Sequence, residues 1–250
     1  GGVVYVSTPG YSGSDTFTYR ASDGVTNSST ATVTLNLTAP ASLFSDTFTR
    51  GADPGPLEPW TVQAGDWTVT GGQLVATNES DSYGYVFWAT NWTDYSVQAR
   101  LWFPTGAYGG GIAGRLDAAT GARYAAWVYP EGSKGGSQVL KLLKFSNWAN
   151  FSVLQTVSLP AVGTNWHTLK LAFQGERIGV HFNGQRLISL ADGAAPLLRG
   201  GITTEFWTDT NSYTLKFDDV VVRLPALPSA TNDSYTIPSV RPWRCPRRGC

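Results

Sequence analysis

Short runs of period-two alternation, none lengthening into a helical pattern, constrain this chain most. Polar and apolar residues swap places around Phe17 and Tyr19, through Val33, Leu35 and Leu37, and again along the central sequence. Alternation of this kind puts successive side chains on opposite faces of a strand. Gly, Asn, Asp and Pro interrupt the runs and supply turn chemistry, as at Pro9-Gly10 and Asp23-Gly24. Candidate strands cover Trp67–Thr70, Gln73–Thr77, Tyr83–Trp88, Tyr95–Phe103, Tyr108–Arg115, Arg123–Tyr129, Gln138–Phe145, Val153–Val157, His167–Gln174, Arg177–Phe182, Arg186–Ser189, Gly201–Phe206 and Tyr213–Arg223. Many short strands at this spacing imply an all-β, two-sheet antiparallel sandwich or jelly roll.

Composition narrows the setting. Hydrophobic residues make up 42% of the 250 positions, enough for a sizeable core, while charged residues are only 14%. Low charge with abundant Gly, Thr, Ser and Asn fits an extracellular β-protein. Formal charge is zero, but the last ten residues, RPWRCPRRGC, hold four arginines and no acid. The preceding body, with 14 basic against 18 acidic residues, has no basic stripe, which argues against a nucleic-acid partner. Both cysteines, Cys245 and Cys250, lie in that tail, so the body has neither a disulfide framework nor a Cys-based metal site. No apolar run is long enough to span a membrane. The chain reads as a piece of a longer protein, of the kind recovered from random environmental DNA, with an out-of-frame or vector-derived end.

Three segments follow. In residues 1–40, GYSGSDTFTYRASDG followed by STATVTLNL resembles the second half of a bacterial Ig-like or cadherin-like tandem repeat. ATNDSYTIP, from Ala230, is similar to the opening strand of the next such repeat. Residues 227–250, that strand plus the aberrant tail, are expected to be disordered. Between them, residues 41–226 read as one domain.

The central motifs run SDTFTR, WTVQAGDWTVTGGQL, YSVQARLWF, GGGIAGRLDAATGARYAAWV, NWHTLKLAFQGERIGVHFNGQRL and LKFDDVVVRL. In this order they resemble a concanavalin A-like jelly roll of the laminin-G-like kind, close to 3-keto-disaccharide hydrolase-like domains and fructan-binding modules. Asn183-Gly184 marks a tight hairpin. Trp60, Trp67, Trp102 and Trp166 read as framework, with Trp166 packing in the core.

The resemblance implies a structural calcium ion tying the first strand to the last, on Asp46 with Asp218 or Asp219. A hard cation takes about six to eight oxygens, so carbonyls would complete the shell; the alternative is that these acids are turn residues. It also implies a sugar site on the concave sheet or its rim. Arg115 matches an arginine common in such modules. Tyr124, Trp127, Tyr83, Tyr85, Trp88, Trp92, Trp148 and Trp207 are the aromatic candidates, since sugar recognition pairs a stacking ring with a charged fork. Trp127 and Tyr129 share one strand face and Tyr124 takes the other. Trp148, in the polar loop FSNWANF, is expected to be the most exposed tryptophan.

A glycosidase needs two carboxylates, about 5 Å or about 6.5–9.5 Å apart. The E-x-D-x-E signature of laminarinase-type jelly rolls is absent. The nearest candidates are Glu205 with Asp209, which strand geometry separates by over roughly ten ångströms, and Glu131 on a loop. His167 and His181, the only histidines, sit in strands among apolar neighbours.

The reading is therefore a secreted or surface bacterial module, monomeric, that binds a polysaccharide or oligosaccharide without cleaving it. The alternatives are a glycoside hydrolase and a calcium-stiffened structural or adhesion domain.

Overall fold

A computed structural model describes residues 13–22, 24–37, 41–225 and 228–230. The arginine-rich tail, with Trp243 and both cysteines, lies outside the described residues, as does most of the ATNDSYTIP stretch. The chain divides into two compact units, Ala41–Pro225 and a smaller one drawn from Gly1–Pro40 with Ala226–Cys250.

In the smaller unit, β1 (Gly13–Tyr19) and β2 (Ala31–Leu37) pair antiparallel, Phe17 facing Val33, with Ala31, Leu35 and Leu37 buried. In the larger unit fifteen strands follow: β3 (Ser42–Asp46), β4 (Thr61–Ala64), β5 (Asp66–Thr70), β6 (Gln73–Thr77), β7 (Ser82–Trp92), β8 (Ser96–Trp102), β9 (Gly109–Leu116), β10 (Arg123–Tyr129), β11 (Val139–Phe145), β12 (Phe151–Ser158), β13 (Trp166–Gln174), β14 (Arg177–Phe182), β15 (Gln185–Ala191), β16 (Gly200–Thr208) and β17 (Leu215–Arg223). A short β18 (Pro228–Ala230) then pairs with β2 of the smaller unit. There is no helix among the described residues.

The fifteen strands make an antiparallel sandwich. One sheet runs β12-β11-β10-β9-β16-β7-β4 and the other β15-β14-β13-β8-β17-β6-β5, with β3 also bonded to β17. Inward side chains of both sheets meet in one core: Leu74, Leu101 and Phe217 from the second, Ile112, Ala126 and Phe206 from the first. Trp67 bridges the layers, 5.5 Å from Phe206 and 5.8 Å from Phe217 between ring centroids. Each of the Leu, Ile and Phe side chains, fully buried, stabilises the fold by about 1.5–3 kcal/mol.

The two sheets differ in a way that locates the site. An antiparallel sheet with one solvated face alternates more and less buried residues, and β8 and β13 of the eight-stranded sheet alternate buried with half-buried ones. In the seven-stranded sheet every residue of β9 and β10 is buried. Its outer face is therefore covered as well, by a second cluster built on Ala113, Ala125, Trp127, Tyr129, Leu143 and Phe145.

The strand map corrects two expectations. β4 lies outside the expected strands, being short and flanked by polar residues, and β3 is the first strand that the calcium expectation places at Asp46. Trp102 and Trp166 are not core: they lie opposite each other, half-buried on the outer face of the eight-stranded sheet, with Lys216 and Arg100 over their rings.

Candidate functional site

Register assembles the outer face of the seven-stranded sheet row by row. One row reads Tyr85, Glu205, Gly111, Trp127 and Lys141, each on a neighbouring strand. The row beside it reads Phe87, Thr203, Ala113, Ala125 and Leu143. On the other side Tyr83 faces Trp207, which faces Gly109. The strand β9 thus offers only Gly109, Gly111 and Ala113 to this face, and the larger side chains of its neighbours close over it.

Gly111 makes the central contact possible. It lies between Glu205 and Trp127, and a Cβ there would come within 1.8 Å of the Ala126 carbonyl oxygen. With no side chain in between, the Trp127 indole N–H reaches across β9 and donates to Glu205 Oε1 at 2.5 Å. Arg123 Nε donates to the other oxygen, Oε2, at 2.7 Å. Glu205 and Arg123 are both 0% exposed and Trp127 is 2% exposed. Burial pushes the Glu205 carboxyl up from its ordinary value, against the opposing pull of Arg123 and Trp127.

Arg123 is itself boxed in by rings. Its guanidinium lies 3.7 Å from the Phe145 centroid, 4.8 Å from Tyr85 and 5.4 Å from Trp148. Nη1 donates to the Gly121 carbonyl at 2.7 Å, while Nη2 has no partner. Trp148 closes this pocket. The Tyr85 hydroxyl donates to the Trp148 carbonyl at 2.6 Å, and the indole packs against Tyr85 and Phe87. Gly121, at φ +86°, lets the indole approach: a Cβ there would stand 2.5 Å from its Cγ.

The result is a strip of rings in contact. Trp207 meets Tyr83 at 4.4 Å, Tyr83 stacks on Tyr85 at 5.2 Å, and Tyr85 meets Trp148 at 5.3 Å. Trp207, Tyr83 and Trp148 are half-buried, as is Tyr108 beside Tyr129. Trp127, Tyr85 and Arg123 form the sealed layer beneath.

Six of the expected residues meet here: Glu205, Trp127, Trp148, Trp207, Tyr83 and Tyr85. Trp148 is not the freely exposed ring its polar loop suggests, because it folds down over Arg123. Other candidates go elsewhere. Arg115 has φ +54°, which breaks strand parity and turns its side chain off the outer face. It donates to the Leu197 carbonyl at 2.7 Å, pairs with Asp94 at 3.2 Å and lies 4.7 Å from the Phe173 ring. Tyr124 points inward and donates to Asp192, which Lys144 holds at 2.6 Å. Trp88 and Trp92 pack on the inner core with Phe44 and Tyr95.

The remaining acids form no pair with Glu205. Asp209 lies just past the end of β16, where it bonds Lys134 at 2.5 Å. Four residues of strand separate it from Glu205 by about 13 Å, beyond either glycosidase spacing. Glu131 accepts the backbone N–H groups of Val162 and Gly163. These bonds outweigh burial and hold its carboxyl below the usual range.

The residues at the expected calcium position do not fit a cation. Arg50 occupies Asp46 with two bonds, Nη1 to Oδ1 at 2.9 Å and Nη2 to Oδ2 at 2.8 Å. Trp60 Nε1 and the Phe48 N–H donate to the same carboxylate at 2.9 and 2.7 Å. Burial alone would raise the Asp46 pKa, but these donors together hold it below its ordinary value. Asp218 and Asp219 turn to Arg100, at 3.5 and 3.1 Å. No group of three His, Cys, Asp or Glu that could hold a metal occurs among the described residues.

Comparison with known proteins agrees with this architecture. A bacterial Ig domain family model matches residues 1–36. A search of the curated proteins finds no match. Among solved structures, the carbohydrate binding module CBM66 from Bacillus subtilis superposes with TM-score 0.56 at 20% identity, covering 70% of this chain and 99% of that one. The Bacillus licheniformis β-glucanase gives 0.56 at 12% identity, covering 72% and 97%. A Bacillus subtilis protein of unknown function with a galectin-like fold gives 0.57 at 13%, covering 76% and 99%. At these identities the likeness is one of fold: a jelly-roll sandwich shared by binding modules and glycoside hydrolases.

Proposed function

We propose that the unit Ala41–Pro225 binds a carbohydrate chain on the outer face of its seven-stranded sheet and does not cleave it. The observation that carries this is the strip Trp207–Tyr83–Tyr85–Trp148, three of its four rings half-buried, standing on the sealed Arg123–Glu205–Trp127 layer. Such rings offer flat apolar faces to sugar C–H groups, and a rigid layer beneath them reduces the ordering cost of binding. Hydrolysis is disfavoured because Glu205 has both oxygens engaged and Asp209, the acid on its own strand line, stands about 13 Å away. The fold shared with carbohydrate-active proteins, together with the Ig-domain match, supports a place on the surface of, or outside, a bacterial cell.

Affinity electrophoresis in gels containing β-glucan, xylan or fructan tests the reading. At least one polymer is expected to retard the protein, and Trp207→Ala to abolish retardation while the far-ultraviolet circular dichroism is unchanged. Retention by none of them on gels or a broad glycan array overturns it. Turnover of an aryl glycoside that Glu205→Gln abolishes replaces it with the hydrolase reading.

A further inference from the structure

The outer face of the other sheet carries groups that the sugar site does not use. Lys170 on β13 lies directly opposite His181 on β14, and His181 lies opposite Arg186 on β15. The three side chains therefore form a cross-strand row. His181 is only 5% exposed, yet its Nε2 has no hydrogen-bond partner. Lys170 is half-buried and shows no ion pair or hydrogen bond among the described residues. The next row consists of Ser189, Gly179, Ala172 and Ser96, ending at Arg223. The first four are small, and there is room over Gly179 for a small group. A Cβ there would meet only His181 Nε2, at 3.8 Å, and the Ile188 carbonyl oxygen, at 3.9 Å. The orphan nitrogen, itself without solvent-accessible surface, thus lies just beneath a shallow notch over Gly179.

We propose that this notch is a second ligand site, in which Lys170 and His181 hold an oxoanion: a sulfate or carboxylate group. A buried nitrogen without a partner and a half-buried ammonium without a counter-ion are both costly, and one oxoanion would satisfy them together through charge-assisted hydrogen bonds. Among the described residues no acid is seen to pair with either of them. The charged groups facing His181 are Lys170 from β13 and Arg186 from β15, and the one facing Lys170 is Arg223 from β17. Asp218 and Asp219 on β17 are taken by Arg100. Burial first, then repulsion by Lys170 and Arg186, lowers the His181 pKa to about 4, against a backbone hydrogen bond at Gly184 that pulls it up. An anion in the notch reverses the balance, so binding takes up a proton and strengthens as pH falls.

The chain contains only two histidines, so nuclear magnetic resonance of the imidazoles in the full chain reads the site directly. His167 serves as the internal control, since its two ring nitrogens already meet the Val162 carbonyl and Asn183. Sodium sulfate, against sodium chloride at equal ionic strength, is expected to raise the His181 pKa by about one unit, a tenfold change in proton affinity. His167 should not follow. Lys170→Gln should raise the His181 pKa without sulfate, because a like charge is gone, and should erase most of the sulfate response. Dextran sulfate and polygalacturonate, with neutral dextran as control, separate a polymer-borne anion from a free one. A response at lower anion concentration than inorganic sulfate requires makes an acidic polysaccharide the ligand; the reverse order makes it a free oxoanion. An equal response to chloride, an equal shift of His167, or a full sulfate response in Lys170→Gln overturns the proposal.

Discussion

Glu205 and Arg123 each have no exposed surface, and each is the other's counter-ion. Removing one partner of such a pair strands the other's charge in the interior, which costs about 3–5 kcal/mol. Glu205→Gln and Arg123→Met should each lower stability by that amount. The double variant Glu205→Leu with Arg123→Met should cost far less than the sum, because no stranded charge remains. Tryptophan fluorescence during urea unfolding measures this, since nine of the ten tryptophans lie within residues 41–225. His181 gives a pH prediction. Its folded pKa of about 4 lies below the ordinary histidine value near 6.5, so the unfolded chain binds more protons between those limits. Stability contributed by the neutral ring is full above about pH 6.5 and falls away toward pH 4. His181→Gln should flatten that part of the melting-temperature profile when no oxoanion is present.

At the scale of elements, β10 shows what the sequence discloses and what it hides. Strand parity in RYAAWVY correctly puts Trp127 and Tyr129 on one face and Tyr124 on the other. The same parity puts Arg123 with Trp127, and this was the available signal for the missed arginine: a charge on the ring-bearing face of an otherwise apolar strand. Arg115 was not legible, because its position depends on a left-handed backbone angle that a non-glycine residue seldom adopts. Nor was the second covering of the seven-stranded sheet, since periodicity reports where a side chain points and not whether a loop folds over it. The β3 turn is ambiguous in sequence for a related reason. An Asp at a strand end fits a calcium site until the arginine four residues later is seen to grip it. Chelation by EDTA is accordingly expected to leave the melting temperature unchanged. Arg50→Gln should lower it, by removing a charge-assisted pair of bonds to a buried carboxylate; a melting shift on adding EDTA to the unaltered protein would restore the calcium reading.

Across the whole molecule, the all-β jelly-roll class was legible from alternation and turn residues, while the partition of aromatics between core, site and opposite face required the sheet order. The seven-stranded sheet ends at β12, an edge strand with Phe151 and Val153 nearly half exposed. An apolar edge is an invitation to intermolecular pairing. Phe151→Lys should reduce self-association in sedimentation velocity while changing stability by no more than about 0.5 kcal/mol. The lane of Gly109, Gly111 and Ala113 along β9 has a consequence for diversification. The walls on either side of it touch across the gap at Gly111, so any side chain added there pushes Glu205 and Trp127 apart at once. Specificity cannot be retuned there by single steps. Saturation mutagenesis should find position 111 closed to every side chain, and residues 146–150 around Trp148 open to many. Adaptation to a new sugar would then run through that loop, with the floor inherited unchanged.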